Sequence, residues 1–387
     1  MYNLPSHLKG IALEKTKKIC VFSGKRGGFG AYIPFMKLVA IDPALELQII
    51  LGDMHASTEF GKTADEARGY FPNAAIEVIE MGAGRGDTPD IRVENLATCL
   101  AKAPAVLRKL NPDVLMVHGD RGEHLMMAFA ANNLGIPVAH TQGGETSGNI
   151  DDIQRHAITK LAHLHFPETE KAAAKIRSLG EDPNRTFMVG SLYIDRIVKK
   201  MYTDPGIARK KYGLGEAEDF VIVLFHPDTF ETVADNHDVM ISILGEVNRT
   251  GLKTIVVYPC SDPGYQGVID GIIYGRGVLG YNFLEYKSID NLDFLGLMAS
   301  AKAIIGNSSS AFVEAPYFQL PAVNVGNRQR GRDHEENVIH VAPSLGMIRA
   351  GLGLALSPTL NPDFAKSLAK CGYRLGDGRA SEKVLQI

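Results

Sequence analysis

Short apolar runs, each closing in glycine and polar residues, are separated by stretches of helical periodicity, and a second set of the same pattern begins near residue 215. KKICVFSG (17–24) reads as a strand and RGGFG (26–30) as a glycine-rich turn. A helix through Pro34 to Val39 follows, with Pro34 in its first turn, where a missing N–H is tolerated. LELQIILGD (45–53), DVLMVHGD (113–120) and IPVAHTQGGE (136–145) read as strands, with helices over 93–110 and 124–135; ITKLAHLHF (158–166) and TFMVGS (186–191) continue the alternation. Such alternation implies parallel βαβ units and a doubly wound sheet. The pattern breaks at TDPG (203–206). It restarts with strands in GEAEDFVIVLFHPDT (215–229), KTIVVYP (253–259), VLGYNFLEY (278–286), AKAIIGNSSSAFVEAPYF (301–318) and LPAVNVG (320–326). The expected architecture is α/β: two Rossmann-like doubly wound domains, residues 1–195 and 196–364, facing a cleft, with a last helix at about 365–387 packing back on the first.

Composition narrows the function classes. Hydrophobic residues are 45% and charged residues 22% of the 387, which excludes disordered and small disulfide-built chains. The net charge of −3 excludes a strongly basic nucleic-acid binder. The N-terminal stretch carries charges throughout, and no apolar run is long enough to span a membrane, so neither a leader nor an anchor is expected. Four widely spaced cysteines and twelve histidines without HExxH point to a cytoplasmic protein with reduced thiols and no metal site. Forty glycines, more than one residue in ten, imply many turns that need positive φ or bring backbone close to a ligand.

The polar residues at the strand ends are where an open α/β sheet binds ligands. GNSSSAFVEAP (306–316) turns from a strand into Ser308, Ser309 and Ser310 at a helix N-terminus, a place for phosphate, and Glu314, one to two turns into that helix, suits a ribose diol. His226 in LFHPDT follows a buried strand. VHGDRGE sets Asp120 and Arg121 at a crevice, as base and phosphate clamp. The loop HTQGGETSGNIDDIQRH (140–156) gathers Glu145, Asp151, Asp152, Arg155 and His156, a density of titratable groups that lets acid and base roles separate. Arg26 and Arg328 are within reach of an anion in the cleft.

Taken together, VHGDR (117–121), HTQGGETSGNIDDIQRHAITKLAHLHF (140–166), GS with YID (190–195), FHPDT (225–229), GNSSSAFVEAP (306–316) and NVGNRQRGR (324–332) resemble the UDP-N-acetylglucosamine 2-epimerase family, in particular its hydrolysing branch. The resemblance implies the GT-B arrangement, with UDP mainly on the second domain and the sugar on the first, and a homodimer or tetramer. By motif, His226, Ser308 and Ser309 would contact the diphosphate and Glu314 the ribose. Arg26, Arg121 and Arg328 would serve phosphate binding or cleft closure. Asp120 and Asp151 match catalytic acids, and His55 matches a histidine near the sugar.

The implied chemistry eliminates UDP across C1–C2 to a glycal and then adds water, releasing the free 2-epimer, and requires no metal, NAD or flavin. Two departures bear on it. The family's Arg-Ala-Asp/Glu-Tyr/Phe-Gly is RGGFG here, without the acid, and Gln142 stands where some members carry glutamate, which leaves Glu145 or Asp151 to act as base. Cys260 stands where an asparagine is common. The substrate is expected to be UDP-GlcNAc or a UDP-2,4-diacetamido-2,4,6-trideoxyglucose. The alternatives are a GT-B glycosyltransferase, a non-hydrolysing 2-epimerase, a GDP-sugar enzyme and a non-catalytic nucleotide-sugar sensor.

Overall fold

The computed structural model describes residues 16–56, 63–82, 88–146, 150–279, 283–357 and 361–387, apart from the side chains of Arg26, Val278 and Leu279. Among the described residues twelve strands form two parallel sheets. The first holds β1 (Lys17–Ser23), β2 (Leu45–Gly52), β3 (Ala75–Ile79), β4 (Val114–His118), β5 (Val138–Thr141) and β6 (Leu164–Phe166) in the order β3-β2-β1-β4-β5-β6. The second holds β7 (Phe220–Leu224), β8 (Lys253–Val257), β9 (Phe283–Tyr286), β10 (Ala303–Gly306), β11 (Ala322–Val325) and β12 (Val338–Val341) in the order β12-β11-β10-β7-β8-β9. Both are the doubly wound order, so each sheet has one point where the winding reverses: between β1 and β4, and between β7 and β10. Strands next to those points, such as the wholly buried FVIVL of β7, are apolar without alternation because helices cover both faces.

Several local expectations are corrected. RGGFG is the first turn of the helix Arg26–Ile41, and the turn itself is Gly24–Lys25; Pro34 therefore lies inside the helix. TFMVGS contributes only an isolated bridge, His165 to Thr186. Asp151, Asp152, Arg155 and His156, expected on a loop, lie on the helix Ile150–Leu161; the two acids in its first turn suit the positive end of the helix dipole. The C-terminal segment contains two short helices, Pro362–Leu368 and Ala380–Gln386. The last packs on Arg26–Ile41 and Leu192–Val198, and Asp195 accepts hydrogen bonds from the N–H groups of Ala380 and Ser381 at 2.9 and 2.7 Å. Among the described residues no helix is long and apolar enough to cross a membrane.

Candidate active site

The two reversal points face each other. Lys25 follows β1, Asp120 and Arg121 follow β4, His226 follows β7, and Asn307 to Ser310 follow β10. The strand ends open onto a cleft of about 920 Å³ lined from both domains by Lys25, Arg121, Tyr193 and Arg196 on one side and His226, Ser308, Glu314 and Phe294 on the other. A smaller cavity of about 350 Å³ is lined by Lys25, Asp120, Asp151, Ser309, Arg328 and Arg332, together with Arg121, Asp262 and Gln329.

The serine turn depends on Gly306. Its φ is +143°, and a Cβ there would lie 2.0 Å from the Leu224 carbonyl on the neighbouring strand, so only glycine lets β10 end in that direction. The helix that follows is a single turn, Ser310–Val313, and Glu314 sits at its end rather than deep within a longer helix. The serine hydroxyls and turn N–H groups therefore matter more here than an extended dipole. His226 is fixed on three sides. Its N–H donates to Asn307 Oδ1 (2.7 Å), its carbonyl accepts from Asn307 Nδ2 (2.8 Å), and its Nδ1 accepts from the Cys260 N–H (2.9 Å). With Nδ1 an acceptor, the ring proton belongs on Nε2, which makes that nitrogen a hydrogen-bond donor. Burial pushes the Cys260 thiol up to about 12, so it is a neutral neighbour of Asp262.

Arg121 is the centre of an ion network across the cleft. It donates to Glu123 Oε1 (2.6 Å), Asp53 Oδ2 (2.8 Å), Asp262 Oδ1 (2.8 Å) and Ser261 Oγ (3.1 Å). Arg92 shares Asp53 and Glu123, and Arg328 shares Asp262 at 3.3 Å. Arg121 thereby ties the end of β4 to Ser261 and Asp262 of the second domain.

Asp120 and Asp151 share the smaller cavity but differ in proton affinity. Burial raises the Asp120 pKa, but Arg155, Lys25 and Arg332 outweigh it and hold the carboxylate well below its usual range. Arg155 bonds Asp120 directly, and the Lys25 ammonium lies 3.9 Å away. Burial and the charge on Asp120 push Asp151 the other way, up to about 6.

Glu145, Gln142 and His55, also expected from the sequence, are not among the residues lining either cavity. Glu145 is buried beside Thr169, and its carbonyl accepts from Arg155 Nη1 (3.1 Å). Gln142, at φ +62°, donates to Glu168, 3.3 Å from each carboxylate oxygen. Glu168 also accepts from Ser191 Oγ (2.6 Å), and burial with Glu145 nearby raises it to about 7. His55 is buried between Ser23 Oγ (3.0 Å) and Thr63 Oγ1 (2.7 Å), and its neighbour Met54 lines the cleft instead. The side chain of Arg26 lies outside the described residues.

Lys25, Glu168, Arg196 and Arg332 were not singled out from the sequence. Lys25 carried a usable signal, since it follows Gly24 at the end of the strand beside the reversal point. The other three are brought in by tertiary packing. Among the described residues, no group of three or more His, Cys, Asp or Glu side chains is arranged to hold a metal ion.

Fold and cleft together define a two-domain, Rossmann-like protein of GT-B arrangement, with a binding site between its domains. The chain belongs to the UDP-N-acetylglucosamine 2-epimerase family, whose model matches residues 38–387. It is 29% identical to a hydrolysing UDP-N,N'-diacetylbacillosamine 2-epimerase of Legionella pneumophila, over 96% of this chain and 95% of that one. It is 30% identical to a hydrolysing GDP/UDP-N,N'-diacetylbacillosamine 2-epimerase of Campylobacter jejuni, over 84% of each. In fold it is similar to a UDP-GlcNAc 2-epimerase from Neisseria meningitidis bound to UDP-GlcNAc, with a TM-score of 0.76 at 17% identity over 96% of this chain and 98% of that one.

Proposed function

We propose that the chain is a hydrolysing nucleotide-sugar 2-epimerase. It takes UDP-N-acetylglucosamine, or a UDP-2,4-diacetamido-2,4,6-trideoxyglucose, and water to UDP and the free 2-epimer. In this reading residues 1–195 hold the sugar and residues 196–364 the nucleotide, and the enzyme is a cytoplasmic homodimer or tetramer.

The observation that carries the reading is the pair Asp120 and Asp151, in one cavity with Ser309 and Arg328 but pushed apart in pKa. Two carboxylates separated in this way are the usual arrangement for dividing proton-transfer roles. A base is most effective when its pKa lies near the working pH, which selects Asp151 to remove the C2 proton. Asp120 stays ionised and keeps Asp151 basic. As the C1–O bond breaks, negative charge grows on the diphosphate, and the serine turn, His226 Nε2 and Arg328 are donors fixed in advance around it. The ribose meets Glu314, and the apolar end at Leu224, Ile289 and Phe294 accepts the base. Water then adds at C1 of the glycal, and a proton returns to C2 from the opposite ring face. The Lys25 ammonium, 3.9 Å from Asp120, is the N–H donor in the cavity for that step.

Purified protein incubated with a panel of UDP- and GDP-2-acetamido sugars tests the proposal by mass analysis of the released sugar. UDP and a free 2-epimer are expected from at least one of them. A protein that releases no nucleotide from any is not such an enzyme.

A further inference from the structure

Arg196 lies on the helix Leu192–Val198, is 2% exposed and lines the larger cleft. Its Nε and Nη1 have no hydrogen-bond partner. A guanidinium carries five donors, and buried donors left unmade cost more than one bond returns, so an arginine kept in this state is waiting for acceptors that the unliganded protein lacks. Burial lowers its pKa, and the largest charge opposing that is Glu314. Burial likewise raises the pKa of Glu314, opposed first by Arg196. The two are each other's chief counter-charge across the cleft, yet among the described residues no hydrogen bond joins them. Room for the arginine is kept by Gly30, one turn into the helix Arg26–Ile41. A Cβ at Gly30 would lie 2.9 Å from Arg196 Nη2 and 2.4 Å from Asn291 Oδ1.

We infer that Arg196 donates to the ribose cis-diol of the bound nucleotide while Glu314 accepts from it. The inference rests on reading the cleft as a nucleotide site. Each ribose hydroxyl is both donor and acceptor. A carboxylate can take only the protons, and the lone pairs then need a cation on the other side. The planar fork of arginine matches two oxygens held side by side. Arg196 is thus a binding residue for the nucleoside, carried on a helix that straddles the domain boundary and packs on Arg26–Ile41 of the first domain.

The test is calorimetric titration of the full chain with UDP and with 2′-deoxy-UDP, for wild type, Arg196→Met and Arg196→Lys, together with thermal unfolding without ligand. Wild type is expected to prefer UDP by roughly tenfold or more, the scale of a hydrogen bond to a charged group. In Arg196→Met, UDP affinity falls by roughly tenfold or more and most of the preference for the 2′-hydroxyl disappears. Thermal unfolding without ligand shows that the variant is folded, at a lower melting temperature because buried Glu314 loses its chief counter-charge. Arg196→Lys keeps one donor group and an intermediate preference, and it carries the test if the methionine variant does not fold. Wild type that binds no UDP overturns the nucleotide reading and this inference with it. A wild type that binds UDP while both variants keep the full preference overturns this inference alone. Equal loss of UDP and 2′-deoxy-UDP also overturns it, because the contact is then not to the diol.

Discussion

Arg121 and Asp262, from opposite domains, are joined by a 2.8 Å ion pair in the floor of the cleft. Both are held by further charges: Asp53 and Glu123 on the arginine, Arg328 on the aspartate. Arg121→Ala therefore takes the shared cation from three carboxylates at a buried junction and leaves Arg92 with two of them and Arg328 with the third. Breaking a buried pair from one side costs about 3–5 kcal/mol. Urea unfolding of the variant is expected to show a loss of that order, while Asp262→Asn, which leaves the Asp53 and Glu123 contacts in place, costs less.

Activity should fall on the acid side of about pH 6. Asp151 must be ionised to act as base, and its pKa is raised to about 6 by burial and by Asp120. Asp151→Asn is expected to lower kcat at least ~100-fold, the scale for loss of a general base. In Asp120→Asn the charge that raises Asp151 is gone and Arg155 keeps only its other contacts, Asp152 among them, so the acid limb of the residual activity moves to lower pH. A kcat/KM profile of that variant checks the direction.

Glu168 makes stability depend on pH. Its folded pKa is raised, by burial first and then Glu145, to about 7, above the ordinary 4.5 of a glutamate. Between those values the native state binds more protons than the unfolded one, so stability falls as pH rises from about 4.5 to 7. Glu168→Gln removes the dependence. Its melting temperature should exceed that of wild type at pH 8, with little difference at pH 4.5.

Gly306→Ala places a methyl 2.0 Å from a backbone carbonyl at a φ of +143°. Backbone on both sides cannot yield, so the variant should lose more than about 2 kcal/mol in chemical denaturation.

The division between what the residues disclosed and what they hid is physical. Buried strands such as β4 and β7 announced themselves as apolar runs, and the restart after TDPG marked a second sheet. The edge strands β3 and β12 were missed because they are only partly buried and carry Glu77 and His340 among their apolar residues. RGGFG looked like a turn because its glycines lower helix propensity; Gly30 is there to clear space for residues of distant segments, which no local pattern shows. IDDIQRH looked like a loop because its charges masked a strongly amphipathic helix. Within the site, motif residues such as Ser308, Glu314 and Asp120 were legible at their strand ends. Arg196, Arg332 and Glu168 owe their place to tertiary packing alone.

The central claim is that this cleft removes UDP from a 2-acetamido sugar and returns the proton to the other face of C2. Proton NMR of the reaction in D2O tests it most directly. UDP and a free sugar of inverted C2 configuration are expected, with deuterium at C2 in every product molecule. A product still linked to UDP, or a free sugar with C2 configuration and proton retained, would contradict it.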